Sequence, residues 1–467
     1  MPLTKESRDI MLDGILEKSI NAPLSRALEF YKNISDDFVG SIEATGARFA
    51  EEYEGLADAD RLRARLAKNG ARVRNGGASV SVGPLSPACI ACTGACVSRT
   101  FAITNNCHRD CFFCFNPNQK DFAYYCENDF PWREQLEDLA KETSSPKCIA
   151  LSGGEPMLRP KETIDFFRYA KELFSNVHLR IYTSGDLLDE DGLRGLRDAG
   201  LDEIRFSIKQ GDSEGLLSKV LAIVEHAVSI IPTVMVEMPV IPGSKEYMQD
   251  LLLRLSDIGI DGMNLLEFTY PLWNWTIFDQ LGLTLKNPPF EVIYNYSYAG
   301  SIPVEGSELL CLDLMLWAQD KGLPMSLHYC SLENKHRAQM RNMNEPFAEA
   351  NECYALDYED FFLKTIQVYG RDRIPTKEAL AERGCRSFID DEESDCTSFH
   401  PKWLNDAALV VTPDGERVCP CVSWNIAVPG EESSLKFREL KVLKACDAPA
   451  IMLCDQTAEL DKAEGHL

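Results

Sequence analysis

Short apolar runs alternate with amphipathic segments between residues 100 and 268, and this alternation restricts the fold more than any other feature of the chain. Six runs have the length and composition of strands: 100–104, 148–151, 179–182, 203–208, 233–239 and 262–267. The segments between them carry apolar residues at helical spacing, as in 161–174, 189–199 and 215–230. This spacing predicts an α/β fold of parallel βα units, with reactive loops at the carboxyl ends of the strands.

The composition argues against two broad classes of function. Of the 467 residues, 73 are acidic and 48 are basic, so the formal net charge of −25 disfavours binding to a nucleic-acid backbone. No apolar stretch approaches the ~20 residues of a membrane span, and the polar start differs from a signal peptide. We therefore expect a cytoplasmic protein, in which the 17 cysteines indicate metal ligands rather than disulfides.

Three cysteines follow the first predicted strand within one short loop. Cys107, Cys111 and Cys114 form a C-x3-C-x2-C run, with Phe113 just before the last thiol. Three thiolates can hold three irons of a [4Fe-4S] cube and leave the fourth iron without a protein ligand, whereas electron-transfer clusters have four cysteines. The alternatives are three unrelated buried cysteines or a zinc site, which is usually built from C-x2-C pairs and fits this spacing poorly.

A second motif follows the next predicted strand. The segment Gly153-Gly154-Glu155-Pro156 begins 39 residues after Cys114. Paired glycines let a ligand approach the backbone because they have no Cβ atom, and Glu155 is an anion that could pair with an ammonium group. Alone, G-G-E-P is only a turn. At the end of the strand that follows the cysteine loop, it predicts a ligand site.

Together the two motifs resemble the radical S-adenosylmethionine (SAM) superfamily. The resemblance implies a partial (βα)6 TIM-like barrel, a [4Fe-4S] cluster on the three cysteines, and a contact between G-G-E-P and the amino group of SAM. It also implies that an electron from the cluster splits SAM into methionine and a 5′-deoxyadenosyl radical, which removes hydrogen from a substrate. Over roughly residues 87–340 the chain is similar to a little-described group related to pyruvate formate-lyase activating enzymes, although Phe115 stands where that group usually has proline.

Polar side chains lie at the ends of the third and fourth predicted strands. Thr183 and Ser184 end the third, and Ser207 and Lys209 end the fourth. The resemblance implies that these residues form hydrogen bonds to the ribose and carboxylate of SAM. The alternative is that the hydroxyls satisfy nearby backbone groups, which is common at strand ends.

A second cysteine triplet precedes the first strand. Cys89, Cys92 and Cys96 form a C-x2-C-x3-C run that ends eleven residues before Cys107. Three thiols at this density indicate an auxiliary [4Fe-4S] cluster or a zinc site. A fourth ligand could come from Cys126 or from the C-terminal region.

Six more cysteines lie in the last 90 residues: Cys385, Cys396, Cys419, Cys421, Cys446 and Cys454. The segment from Val411 to Cys419 resembles a hairpin that leads to a cluster ligand in peptide-modifying radical SAM enzymes, but the later spacings differ from theirs. Free thiols on a hairpin are the alternative. Cys330, at the end of a predicted strand over 325–330, is either a cluster ligand, a hydrogen-atom donor or a buried free cysteine.

The predicted organisation has four parts: a helical region over 1–86, a radical SAM partial barrel with its upstream cysteine-rich segment over 87–270, a barrel-covering region over 271–375, and a cysteine-rich C-terminal extension over 376–467. We expect a radical SAM enzyme that modifies a peptide or protein side chain. The alternatives are a glycyl-radical activating enzyme, an enzyme of small-molecule or cofactor biosynthesis, and a non-catalytic iron-sulfur or zinc scaffold. The expected partners are an electron donor such as flavodoxin or ferredoxin and a peptide, protein or small-molecule substrate, in an anaerobic or microaerobic host.

Overall fold

The computed structural model describes residues 21–93, 98–290, 292–293, 300–429 and 435–453. The helices are α1 Ala22–Glu43, α2 Leu56–Lys68, α3 Pro87–Thr93, α4 Phe122–Glu127, α5 Trp132–Glu142, α6 Pro160–Leu173, α7 Glu190–Asp198, α8 Glu214–Val228, α9 Lys245–Ile258, α10 Trp275–Gln280, α11 Ser307–Lys321, α12 Leu332–Asn344, α13 Arg373–Glu382 and α14 Leu404–Ala407. The strands are β1 Arg72–Arg74, β2 Ser79–Val82, β3 Ser98–Ala102, β4 Cys148–Ser152, β5 His178–Thr183, β6 Glu203–Phe206, β7 Thr233–Val240, β8 Gly262–Glu267, β9 Thr269–Tyr270, β10 Ile302–Pro303, β11 Ser326–Cys330, β12 Ala355–Leu356, β13 Leu363–Tyr369, β14 Ile389–Asp391, β15 Cys396–Phe399, β16 Cys421–Pro429 and β17 Leu435–Lys444.

Nine strands form one sheet, in the order β1-β2-β11-β8-β7-β6-β5-β4-β3. All neighbours from β3 to β11 are parallel, and β2 and β1 extend the sheet antiparallel beyond β11. The six predicted strands are β3 to β8, and the strand predicted over 325–330 joins the same sheet as β11. The predicted α/β partial barrel is therefore confirmed, and its carboxyl edge carries both sequence motifs.

The two faces of the barrel strands differ in polarity because successive side chains point to opposite faces. One set, which includes Ile204, Phe206 and Leu265, is buried in the large apolar core shared with the helices. The alternate positions hold Arg205 and Asn264, which are buried but polar. The inner face of the barrel is therefore lined by polar and charged side chains.

The chain divides into two compact units. The barrel unit comprises residues 42–291 and 296–338, and the second unit comprises residues 1–41, 292–295 and 339–467. In its described part, the second unit has a six-stranded antiparallel sheet in the order β14-β15-β13-β16-β17, with β12 paired to β13. Its apolar core includes Phe362, Ile366 and Trp424.

Candidate functional site

The three cysteines of the C-x3-C-x2-C run lie in the loop that follows β3. Cys107 is exposed, Cys111 and Cys114 are half-buried, and all three are free thiols. Burial raises the pKa of the Cys114 thiol, so metal binding has to displace its proton. No three Cys, His, Asp or Glu side chains in the described ranges converge closely enough to hold a single ion. In a [4Fe-4S] cluster each cysteine binds a different iron, so the thiols lie further apart than the ligands of a single ion.

Two residues inside the cysteine loop fasten it to neighbouring strand ends. His108 Nε2 lies 2.8 Å from Asp186 Oδ2. Arg109 donates to Asp186 at 3.4 Å and to Asp212 Oδ2 at 2.5 Å, and its side chain is largely buried. The loop that carries the thiols is therefore held by two carboxylates that follow β5 and β6.

The G-G-E-P segment packs directly on the start of the cysteine loop. Gly154 N donates to Thr104 O at 2.9 Å, and Glu155 N donates to Asn106 O at 2.8 Å. A Cβ atom on Gly154 would lie 2.0 Å from the carbonyl oxygen of Asn106. Position 154 therefore requires a glycine because the chain's own backbone packs closely against it. The sequence had suggested instead that a ligand approaches the glycine. Pro156 opens a single 3-10 turn that follows.

The carboxylate of Glu155 is buried and accepts hydrogen bonds from β5. Thr183 Oγ1 donates to Oε1 at 2.7 Å, and the Ser184 amide and hydroxyl both lie 2.7 Å from Oε2. The backbone amide of Met157 is a further donor at 3.0 Å. Because the Ser184 hydroxyl also lies 2.6 Å from Asp186 Oδ1, its single proton can serve only one of the two carboxylates at a time. Turning it to Asp186 would leave an acceptor site on Glu155 for another donor.

Further predicted residues reach the same edge of the barrel. Lys209 donates to Ser207 Oγ at 2.5 Å. Its positive charge acts to lower the pKa of Cys114, against the larger effect of burial, which raises it. The indole of Trp273 donates to the carbonyl of Cys114 at 2.9 Å. Phe113 packs edge-on against Phe268. The structure therefore brings together the three predicted elements of the SAM site: the cysteine loop, Glu155 and the ends of β5 and β6.

This edge has the donor set and charge that a [4Fe-4S] cluster and SAM require. Three free thiols lie in one loop, the positive charge of Lys209 reaches those of Cys107 and Cys114, and a carboxylate with exchangeable hydrogen bonds lies nearby. Asn105, two residues before Cys107, is buried, and neither atom of its side-chain amide has a partner in the described part of the chain. An unpaired buried amide is costly, so Asn105 also fits a site that a polar ligand completes.

The upstream triplet is only partly described. Cys89 and Cys92 lie on α3, Cys89 buried and Cys92 exposed, while Cys96 lies outside the described residues. Cys89 Sγ is 3.1 Å from Arg205 Nη2 and 3.4 Å from Asn264 Nδ2. Burial would raise the pKa of Cys89, but the Arg205 guanidinium and the neighbouring His328 ring outweigh it and lower the pKa to about 6. Cys126, considered as a fourth ligand, is half-buried on α4.

In the second unit, strand register gathers cysteines that are far apart in sequence. Cys396 is paired with Tyr369 of β13, and Cys421 is paired with Gln367 of the same strand on its other side. Cys396, Cys419 and Cys421 share one small buried cluster with Tyr369, and the charges of Cys396 and Cys446 reach the Cys421 thiol. The segment from 411 to 419 contains a short antiparallel bridge. Cys454 lies outside the described residues.

Sequence reasoning missed the residues that fasten the site. Asp186 and Asp212 follow different strands, and only the parallel register of β5 and β6 brings both to Arg109. The signal available in the sequence was the polar stretch His108-Arg109-Asp110 between Cys107 and Cys111, since a loop held only by its metal would not need such side chains.

Comparison with known proteins identifies the barrel. Residues 101–255 match the model of the Radical SAM superfamily. Within the described ranges, no helix combines the length and apolar character that crossing a membrane would require.

Two sequence relatives differ in how much of their length is matched. A protein of Methanocaldococcus jannaschii, provisionally named a glycyl-radical enzyme activating enzyme, is 28% identical over 58% of this chain and 70% of its own length. A PqqA peptide cyclase of Gluconobacter oxydans is 33% identical over 24% of this chain, and the match spans only 30% of that protein. The crystal structure of Streptococcus suis SuiB bound to precursor peptide SuiA aligns over 52% of this chain and 53% of that one, with 16% identity and a TM-score of 0.32.

Proposed function

Since this chain, with its radical SAM domain over residues 101–255, is an enzyme of the radical SAM superfamily, we propose that it cleaves SAM reductively and uses the resulting radical on a polypeptide substrate. The observation that carries the proposal is the single site formed by the cysteine loop, Glu155 and the ends of β5 and β6. When bound to Cys107, Cys111 and Cys114, a [4Fe-4S] cluster would supply the electron that splits SAM into methionine and a 5′-deoxyadenosyl radical.

The residues of the chain position SAM. Glu155 accepts the SAM ammonium group once the Ser184 hydroxyl turns to Asp186, an exchange that the two distances of 2.7 and 2.6 Å permit. Lys209 and Ser207 offer donors for the SAM carboxylate and ribose at the end of β6. His108 and Arg109 hold the loop so that SAM meets a fixed set of thiolates.

A polypeptide substrate is supported by the names of both sequence relatives. One name refers to activation of a glycyl-radical enzyme and the other to cyclisation of the PqqA peptide. The cysteines gathered at one end of the sheet in the second unit support an auxiliary metal centre within that unit. A glycyl-radical activating enzyme is the second candidate, which the match to the M. jannaschii protein favours. A small-molecule substrate is the third.

The proposed setting follows from this chemistry. The electron donor is a flavodoxin or ferredoxin, the compartment is the cytoplasm, and the host is anaerobic or microaerobic, since oxygen destroys exposed iron-sulfur clusters. The net charge of −25 disfavours nucleic acid as a partner.

Electron paramagnetic resonance tests the site. Reduced wild-type protein should show a [4Fe-4S] signal that SAM shifts, and replacement of Cys107, Cys111 and Cys114 by Ala should remove the SAM-sensitive signal. A signal that SAM leaves unchanged would contradict the proposal. For the substrate, the macromolecular fraction of a host extract should raise 5′-deoxyadenosine formation above the rate without substrate, whereas stimulation by the small-molecule fraction alone would overturn the polypeptide assignment.

A further inference from the structure

Arg180 of β5 extends into the interior of the barrel. Leu179 and Ile181, on either side of it, belong to the outer apolar core, so Arg180, at the alternate position, faces inward. The strand register places it between Ala150 of β4 and Glu203 of β6. The residue is only 4% exposed, so a full positive charge is buried among the inner side chains of the barrel.

The guanidinium of Arg180 has donors without acceptors. Its Nε atom is buried without a hydrogen-bond partner, and none of its nitrogens pairs with a carboxylate within the part of the chain that the structure describes. The ring of Tyr182 covers one face, with Cζ 4.9 Å from the ring centroid. This stacking leaves the N–H groups around the edge of the guanidinium available. An unpaired buried charge is costly, so Arg180 fits a site that a negatively charged ligand completes.

The two carboxylates in this interior are bound to a different arginine. Arg205 donates to Glu203 through Nε and to Glu237 through Nη1. Asn264 Nδ2 is a further donor to Glu237 at 2.7 Å. The charge of Arg180 acts on both carboxylates, but each already has other hydrogen-bond partners. A ligand of Arg180 therefore has to come from outside the described chain.

The interior of the barrel has room for such a ligand. Three other side chains of this interior are half-buried rather than buried: Tyr182 of β5, Glu237 of β7 and Leu266 of β8. The residue that precedes each of them belongs to the outer core, so all three face inward. Inward side chains keep accessible surface only where the space beside them is not filled by the chain's own atoms.

Arg180 lies deeper in the barrel than the proposed SAM contacts. Ser184, whose hydroxyl is 2.7 Å from Glu155 Oε2, follows Arg180 by four residues at the carboxyl edge of β5. Four residues of extended chain span about 13 Å. A group bound to Arg180 therefore shares the interior with the SAM site but does not compete for the same side chains.

We propose that Arg180 binds a carboxylate of the substrate inside the barrel, an inference that rests on the proposed function and narrows it to an acidic substrate. A guanidinium donates two parallel hydrogen bonds to a carboxylate, and stacking on Tyr182 fixes its orientation. One guanidinium matches a monoanion, whereas a phosphate dianion would bring a second negative charge toward Glu203 and Glu237. On a polypeptide, the carboxylate belongs to an acidic side chain or to the C-terminus.

Binding of small probes to the unreduced enzyme tests this site without turnover. Saturation-transfer NMR on the reconstituted protein with SAM compares N-acetyl-glutamate N-methylamide, which has a side-chain carboxylate, N-acetyl-glutamine, which has a terminal carboxylate, and N-acetyl-glutamine N-methylamide, which has neither. At least one acid should bind about tenfold more tightly than the neutral amide, and the tighter acid identifies the source of the carboxylate. Equal binding of all three probes, or stronger competition by inorganic phosphate than by acetate, would overturn the proposal.

Two variants assign the contact to Arg180. Arg180→Met should lose the preference for the acid, and Arg180→Lys should show a smaller preference, because an ammonium group keeps the charge but not the paired donors. Arg168→Met, at an exposed arginine of α6, is the matched control and should keep the full preference. An unchanged preference in both Arg180 variants would overturn the proposal. Since no reductant is present, that result would leave SAM cleavage untouched, and loss of SAM cleavage would refute the proposed function without changing the binding result.

Discussion

His108 Nε2 lies 2.8 Å from Asp186 Oδ2, and this contact joins the cysteine loop to the segment after β5. Asp186 also contacts Ser184, whose hydroxyl reaches Glu155. A chain of polar contacts thus runs from the residue after Cys107 to the carboxylate assigned to SAM. The positions of the proposed cluster ligands and of the proposed SAM ligand are therefore set by the same network.

Weakening this network should affect both cofactors. We expect Asp186→Asn to bind less iron and to bind SAM about tenfold more weakly, because a neutral amide loses the charge-assisted contacts with His108 and Arg109. Iron per chain and calorimetric SAM titration measure the two effects. Asp191→Asn, at an exposed position on α7, should behave as wild type. Normal iron and SAM binding in Asp186→Asn would show that the loop does not depend on this carboxylate.

Loss of the Glu155 carboxylate should weaken SAM binding while the cluster remains. A charge-assisted hydrogen bond of this kind is worth roughly 1.5–3 kcal/mol, so Glu155→Ala should raise the SAM dissociation constant by about 10- to 100-fold. Iron content, measured in parallel, should stay at the wild-type level because the three thiols are intact. An unchanged dissociation constant would remove Glu155 from the SAM site.

Gly154 should tolerate no side chain. The Cβ atom of Gly154→Ala would lie 2.0 Å from the carbonyl oxygen of Asn106 and 2.5 Å from its carbonyl carbon. Backbone atoms cannot rotate away as a side chain can, so we expect the loop to shift and cluster assembly to fail, at a cost of about 1–3 kcal/mol in stability. Gly215→Ala, which has open space around the new methyl group, is the control. Normal cluster content in Gly154→Ala would show that the contact is not needed.

The sequence was sufficient for the strands and the two motifs because both are local patterns. Apolar runs located β3 to β8, and the superfamily match over 101–255 confirms the resemblance that the cysteines and G-G-E-P indicated. Contacts that depend on the pairing register of the strands could not be predicted from the sequence. Neither the meeting of Asp186 and Asp212 at Arg109 nor the pairing of Cys396 with Tyr369 can be deduced from spacing. The sequence also could not show why position 154 requires a glycine, because the backbone it packs against, that of Asn106, lies 48 residues away in the chain.

The buried ion pair at the start of β6 should make stability depend on pH. Burial would raise the pKa of Glu203, but the Arg205 guanidinium and the hydrogen bond to His178 outweigh it and lower the pKa to about 2. An unfolded glutamate titrates near ~4.3, so the stabilisation is fully present above that pH and is lost as the pH falls toward 2. The difference between the folded and unfolded pKa values corresponds to about 3 kcal/mol in the free energy of unfolding.

Urea unfolding of Glu203→Gln and of the protein with native Glu203 measures this dependence. Both proteins carry Ala at positions 107, 111 and 114, because a cluster would be lost in acid. The variant should be less stable at pH 6, and the gap should narrow at pH 3.5. A gap that stays constant between the two pH values would mean that Glu203 is not held ionised by its partners.

Product analysis after anaerobic reduction tests the central claim most directly. The reconstituted wild-type protein, supplied with SAM and dithionite, should form 5′-deoxyadenosine and methionine in equal amounts. The variant in which Cys107, Cys111 and Cys114 are replaced by Ala should form neither, while Cys311→Ala should match the wild type. Undiminished formation of 5′-deoxyadenosine by the triple variant would contradict the assignment of these three thiols as the ligands of the SAM-cleaving cluster.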